Sequence, residues 1–328
     1  MQKEYKFNVA DLDSQLPVLL KNGVTELTIH DNAVASDKNK LMKLIKLLAA
    51  KAPDLFVSIY ADAAVIDREV VMAASGIFCS FDIPLKVSSK GGKILFDKKF
   101  YANKAKLLND FGLVFGFILY YAETPSDGDT LKQFMDRIDF AANQYPNHLE
   151  FPQTEDAEIE ANVTGIFSAK DIRYARDLAF ACKTFYSCGR AVPWFNSVLY
   201  PLRIYPSRFF ADFAEWQRCN NCDFKSGFNP DAEKHDSIEK MQLLFLEQKF
   251  EEKNKRELYT LVQDIVKVNG AMSRLAGENI ESTVETSYHP DDLFGPESMD
   301  LEAFCENVCM EHCKVRIFAG EEGPEYSV

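Results

Sequence analysis

The feature that most constrains the fold is an alternation through residues 5–155, in which short β-branched or aromatic runs are separated by stretches whose apolar residues recur at helical spacing. The runs are Tyr5 to Val9, Thr25 to His30, Leu55 to Tyr60, Ile77 to Leu85, Leu113 to Tyr121 and Asn147 to Phe151, each bounded by Gly, Asp, Asn or Pro. Leu41, Leu44, Ile45, Leu47 and Leu48 form one such helical stretch behind Ser36 and Asp37, both residue types that cap helices. Strands joined through helices pair in parallel, so the pattern predicts an α/β protein. Six β-α units suit either a doubly wound sheet or an incomplete barrel.

From about Ala169 the pattern becomes mostly helical. Asp171 to Phe185 has helical spacing, Ser207 reads as the cap of a run holding Phe209, Phe210, Phe213 and Trp216, and a third stretch runs from Ala232 through Met272. Those aromatics are spaced as a packing face. Strand character returns only at Lys314 to Phe318, Asn220 to Pro230 reads as a loop, and Ala319 to Val328 reads as an acidic, frayed tail. Ser89 to Lys93 reads as a flexible turn.

Parallel α/β sheets and barrels bind ligands at the carboxyl ends of their strands. The polar residues expected there are His30, Asp31, Asp62, Asp82, Glu123 and Gln153, which makes them candidate ligand contacts. His30 beside Asp31 suits a general base or a ligand, and Asp82 with Glu123 suits an acid-base pair. Carboxylates at strand ends also cap the following helix. His148 falls near a strand start, the end usually concerned with stability.

Composition excludes several classes. Asp and Glu number 50 against 37 Lys and Arg, a formal charge of -13, and no basic run stands out, so nucleic acid is not an expected partner. No apolar run reaches the ~18 residues of a membrane helix, and Met1 to Lys6 has no apolar signal region, so no membrane association and a cytoplasmic location are expected. There the eight cysteines read as thiols or metal ligands rather than disulfides. Walker A, Gly-x-Gly-x-x-Gly and Gly-x-Ser-x-Gly motifs do not occur.

Three segments resemble one family. GVTELTIHDNAV, LFVSIYADAAVIDREVVMAASGIFCSFDIPLKV and GLVFGFILYYAETPSDGDTLKQFMDRIDF are similar, in order and spacing, to the second through fifth units of radical S-adenosylmethionine enzymes, especially the cobalamin-binding group. Ile66-Asp67-Arg68-Glu69, Ala74-Ser75-Gly76 and Ala122-Glu123-Thr124 stand where that family has its helix start, helix end and following turn. YSCGRAVPWFNSVLYPLRIYPSRFFADFAEWQ and TSYHPDDLF resemble its helical extension. The resemblance implies an incomplete TIM-like (β/α)6 barrel over residues 1–165, followed by a mostly helical extension over residues 166–328 that ends in a Cys-rich segment.

One departure decides the expected chemistry. The family holds a 4Fe-4S cluster with a Cys-x3-Cys-x2-Cys loop after its first strand, leaving one iron open for S-adenosylmethionine. Here Asn8-Val9 passes into Ala10-Asp11-Leu12 with no cysteine. The chain is therefore expected to be a degenerate member, a pseudoenzyme that binds a small ligand or docks on a partner enzyme. The alternative is an active enzyme, using either acid-base residues at the barrel mouth or a relocated iron-sulfur or zinc site. Cys219 and Cys222, with Cys305 and Cys309, offer four thiolates for that site, and Cys305, Cys309 and Cys313 offer three. On one unbroken helix the outer two of these three stand about 12 Å apart, too far for one cubane, and the plain reading is a buried helical stripe of thiols.

Overall fold

The computed structural model describes residues 9–90, 93–121, 130–152, 163, 167–321 and 323–328. The chain divides into two units, Met1–Asp129 with Gln144–Pro152, and Thr130–Asn143 with Gln153–Val328.

The first unit is built on a five-stranded parallel sheet. Its strands are β1 (Glu26–Ile29), β2 (Phe56–Tyr60), β3 (Cys79–Pro84), β6 (Val114–Ile118) and β7 (His148–Glu150), in the order β1-β2-β3-β6-β7, while β4 (Ser88–Lys90) and β5 (Lys93–Leu95) form a separate antiparallel pair. Five of the six expected strands are present. Residues 5–8 of the sixth lie outside the described residues, and Val9 belongs to a 3-10 turn, Val9–Asp11. The expected turn at Ser89 to Lys93 overlaps the β4-β5 pair.

Spatial order follows chain order, without the reversal that defines a doubly wound sheet. Right-handed crossovers in such an order put successive helices on one side of the sheet. Those helices are α3 (Lys38–Lys51), α4 (Arg68–Ala74) and α5 (Lys98–Asp110), with α1 (Leu12–Lys21) and the short α2 (Asn32–Ala35) ahead of them. Their inward stripes, such as Leu41, Leu44, Ile45 and Leu48 of α3, are buried. So are Val57, Ile59, Phe81, Ile83, Phe115, Phe117 and Leu149, which share one face of the sheet because side chains alternate along a strand. The opposite face carries Thr28, Ser58, Tyr60, Ser80, Asp82, Gly116 and His148. One face therefore builds the core, and the other is mixed, with Phe56, Pro84, Val114 and Ile118 toward its edges and the polar side chains across its middle.

The second unit is mostly helical. It contains α6 (Leu131–Ala142), α7 (Ala169–Cys182), a π-helical segment (Lys183–Cys188), α8 (Phe195–Leu202), α9 (Pro206–Cys219), α10 (His235–Glu252) and α11 (Tyr259–Glu278). Phe185 meets Trp194, Phe195, Phe209, Phe210, Phe213 and Phe245 edge-on, with centroids 4.9–6.4 Å away, so the aromatic run is a packing face as the spacing indicates. Ser207 is not the cap of α9. Pro206 takes the first helical position, and the Ser207 N–H donates to Asp139 Oδ1 at 2.7 Å.

The end of the chain departs most from expectation. β8 (Ser282–Thr286), β9 (Cys313–Ala319) and β10 (Pro324–Ser327) form an antiparallel sheet, with α12 (Pro290–Phe294) and α13 (Leu301–Asn307) between its first two strands. The tail is thus a paired strand rather than a frayed end. Its apolar side packs Cys313, Val315 and Ile317 on Ala271 and Leu275 of α11, with Val284 and Tyr326 alongside. The cysteine stripe is also broken: Cys305 lies on α13, Cys309 is exposed beyond that helix, and Cys313 opens β9. Among the described residues, no helix is long and apolar enough to cross a membrane.

Candidate functional site

The second face of the five-stranded sheet brings one residue from each of four strands, and the residue that follows β1, into a single lateral row. Asp82 is in register with Tyr60 on one side and Gly116 on the other, and Gly116 is in register with His148. His30 follows β1 and continues its register with β2, placing its ring 4.1 Å from that of Tyr60 in a stacked arrangement. The row runs His30, Tyr60, Asp82, Gly116, His148. Beneath it, toward the strand starts, Ser80 Oγ donates to Ser58 Oγ at 3.1 Å.

Gly116 is what allows the far end of the row to connect. A Cβ at this position would lie 2.0 Å from His148 Nε2 and 2.1 Å from its Cδ2, so the imidazole occupies the space that any other residue would fill. Crossing there, His148 Nε2 reaches Asp82 Oδ1 at 2.7 Å. An ionised carboxylate only accepts, so Nε2 is the donor in this contact, and the Nε2-H tautomer of the ring carries its lone pair on Nδ1. The two side chains are 23% and 18% exposed, sheltered enough to be held and open enough to be reached. A carboxylate that orients an imidazole in this way equips it to take or give a proton.

The other expected contacts have different partners. Asp31 caps α2, accepting from the N–H groups of Ala33 at 2.8 Å and Val34 at 3.2 Å, so the residue beside His30 is committed to the helix. Asp31→Ala is expected to cost about 1 kcal/mol in thermal unfolding while the Asp82–His148 contact survives by NMR. Asp62 is ion-paired with Lys86. Glu123 and Gln153 lie outside the described residues. Asp67, at the start of the Ile66-Asp67-Arg68-Glu69 segment, caps α4 and pairs with Lys38, which holds its carboxyl below the usual range.

His148 was missed as a site residue because it sits at the start of its own strand. The short β7 is staggered, so its first residue lies level with the middle of β3. The available signal was Gly116, a glycine inside the aromatic run Val114-Phe115-Gly116-Phe117, which marks a close approach by another group.

The residues present do not fit the iron-sulfur cluster that the resemblance implies. The Val9–Asp11 turn and α1 contain no thiol. Among the described residues, no group of three or more His, Cys, Asp or Glu side chains is arranged to hold a metal ion. Burial pushes the Cys222 thiol up to about 11 and also raises Cys305. Cys219 is exposed at the end of α9.

No protein-family model matches the chain, and no curated protein matches it. Two structures of TsrM, a radical S-adenosylmethionine methyltransferase from Kitasatospora setae, are similar. The form with tryptophan substrate and the analogue aza-SAM is 13% identical, covers 44% of this chain and 30% of that one, and has a TM-score of 0.34. The form with cobalamin and a 4Fe-4S cluster is 13% identical, covers 53% of this chain and 35% of that one, and has the same TM-score of 0.34. The likeness thus spans about a third of the length of those structures.

Proposed function

We propose that this chain is a radical-SAM-like protein, a partial β/α barrel that has given up radical chemistry and binds a small polar molecule on the second face of its sheet. The observation that supports this reading is the row from His30 to His148, closed by the 2.7 Å contact between Asp82 and His148 across Gly116. Burying ionisable groups costs free energy unless they are hydrogen-bonded or used, and the row holds Tyr60, Asp82 and His148 side by side on three strands. The stacked His30 and Tyr60 rings suit a planar group, and the Nδ1 atom of His148 suits a hydrogen-bond donor.

A second reading is favoured by the same contact: His148, oriented by Asp82, acts as a general base on the bound molecule. Catalysis then needs proton transfer alone, with no inorganic cofactor.

Anaerobic reconstitution followed by calorimetry tests the proposal. The protein is expected to hold no stoichiometric iron and to give no heat with S-adenosylmethionine, because the open iron of a cluster supplies contacts to that molecule in the family. A screen of small polar metabolites by thermal shift is expected to yield a stabilising compound whose effect is lost in Asp82→Asn. Retention of about four irons per chain with tight S-adenosylmethionine binding would overturn the proposal. So would a screen in which no stabilising compound loses its effect in Asp82→Asn.

A further inference from the structure

A slot in the first unit lies against α2 and α3 and shares no side chain with the row from His30 to His148. Lys40, Lys43, Leu44 and Leu47 are spaced to share one side of α3. With Val34 of α2 they line a slot of about 340 Å³, at the lower end of the size range of small-molecule sites. Val34 and Leu44 are buried, Leu47 is half-buried, and both lysines are exposed. Asp31 also borders the slot, but its Oδ1 accepts the two N–H bonds that cap α2.

The charges around this slot are unbalanced. On the same helix, Lys38 pairs with Asp67 and Glu69, and Lys51 pairs with Asp13. Among the described residues, Lys40 and Lys43 have no ion-pair partner, although the chain carries a net charge of -13. Apolar walls beneath two unbalanced ammonium groups complement a molecule with an apolar tail and an anionic head.

We propose that the slot takes an amphipathic organic anion of the medium-chain carboxylate class, its tail on Val34, Leu44 and Leu47 and its head group between Lys40 and Lys43. The slot contains none of the row's side chains, and Asp31 on its border follows His30 in the chain.

Methyl NMR of the full chain, titrated with decanoate below its micelle concentration, tests this. The Val34, Leu44 and Leu47 methyl signals are expected to shift saturably, with affinity falling about tenfold in Lys40→Glu/Lys43→Glu and declining as salt is added. Decan-1-ol, which has the tail without the charge, is expected to bind about tenfold more weakly. Both lysines are exposed, so the double variant is expected to keep the parent spectrum elsewhere. Equal affinity for decanol and decanoate, indifference to the charge reversal, or shifts centred on other methyls would each overturn the proposal. A Glu-rich amphipathic peptide that fills the slot while decanoate does not would overturn it in favour of a protein partner.

Discussion

Gly116→Ala is expected to destabilise the first unit by about 3 kcal/mol and to disconnect His148 from Asp82. The added Cβ would stand 2.0 Å from Nε2, 2.1 Å from Cδ2 and 2.5 Å from Cε1 of the imidazole, well inside contact distance for all three atoms. A rigid ring cannot absorb that by bending, so it must rotate out and give up its bond to Asp82. Losing a hydrogen bond to a charged group costs about 1.5–3 kcal/mol and overpacking about 1–3 kcal/mol, while alanine returns about 0.5–1 kcal/mol through lower backbone entropy in the unfolded chain. The measurement is denaturant unfolding, paired with ring-nitrogen NMR of His148. In the parent chain the Nε2 proton is expected to be held against Asp82, and in the variant it is expected to exchange freely. The double variant Gly116→Ala/His148→Ala removes the clash and is expected to be more stable than the sum of the single changes allows. A Gly116→Ala protein as stable as the parent, with an unchanged His148 spectrum, would show that the row does not depend on this gap.

The parts of this molecule legible in sequence were those written in local spacing. The Leu41-to-Leu48 pattern with Asp37 ahead of it specifies α3, and Asp37 caps that helix through the N–H groups of Asn39 and Lys40. The parallel sheet follows from the β-α alternation in the same way. Register is a different kind of information. No local rule states that the first residue of β7 lies level with the fourth of β3, and that staggered alignment is what brings His148 to Asp82. Asp31 illustrates the converse: residue type and position admitted both a ligand and a cap, and two backbone N–H groups at its Oδ1 select the cap.

The antiparallel sheet at the chain end was hidden for a related reason. β8, Ser-Thr-Val-Glu-Thr, has a single aliphatic side chain, and β10, Pro-Glu-Tyr-Ser, is polar at most positions. Only β9 carries the full alternation, with Cys313, Val315 and Ile317 buried. A strand whose neighbours and covering helix supply the apolar surface need not advertise itself. The same sheet explains Cys313, which packs as a small apolar residue beneath α11 instead of extending the helix of Cys305.

Acid is expected to weaken the second unit through His235. This residue is 4% exposed, and its Nε2 lies 3.3 Å from the Gly189 carbonyl, to which the Nε2–H donates. Its Nδ1 accepts from Arg274 Nη1 at 3.0 Å, and the same guanidinium nitrogen donates to Glu239 Oε2 at 2.6 Å. Burial, reinforced by the positive charges of Arg190 and Arg274, pulls the His235 pKa down to about 4. Protonation would turn Nδ1 into a second donor facing the donor of Arg274. Between pH 6.5 and 4 the unfolded chain binds a proton at His235 that the folded chain refuses, so this contribution to stability is complete above pH 6.5 and is lost as pH falls. At pH 4 the loss amounts to roughly 3 kcal/mol. Asp264 opposes it, since burial raises that carboxyl to about 6 and its contribution to stability therefore grows as pH falls through the same window. The parent curve alone would blur the two, and the difference between the parent and His235→Gln isolates His235, because Asp264 is common to both. Tryptophan fluorescence reads the correct unit, both tryptophans, Trp194 and Trp216, being in the second. The stability advantage of the parent over His235→Gln is expected to shrink by roughly 3 kcal/mol from pH 7 to pH 4. Parallel curves across that range, or a His235 titration near 6.5 by NMR, would mean that the imidazole is not locked neutral between Gly189 and Arg274.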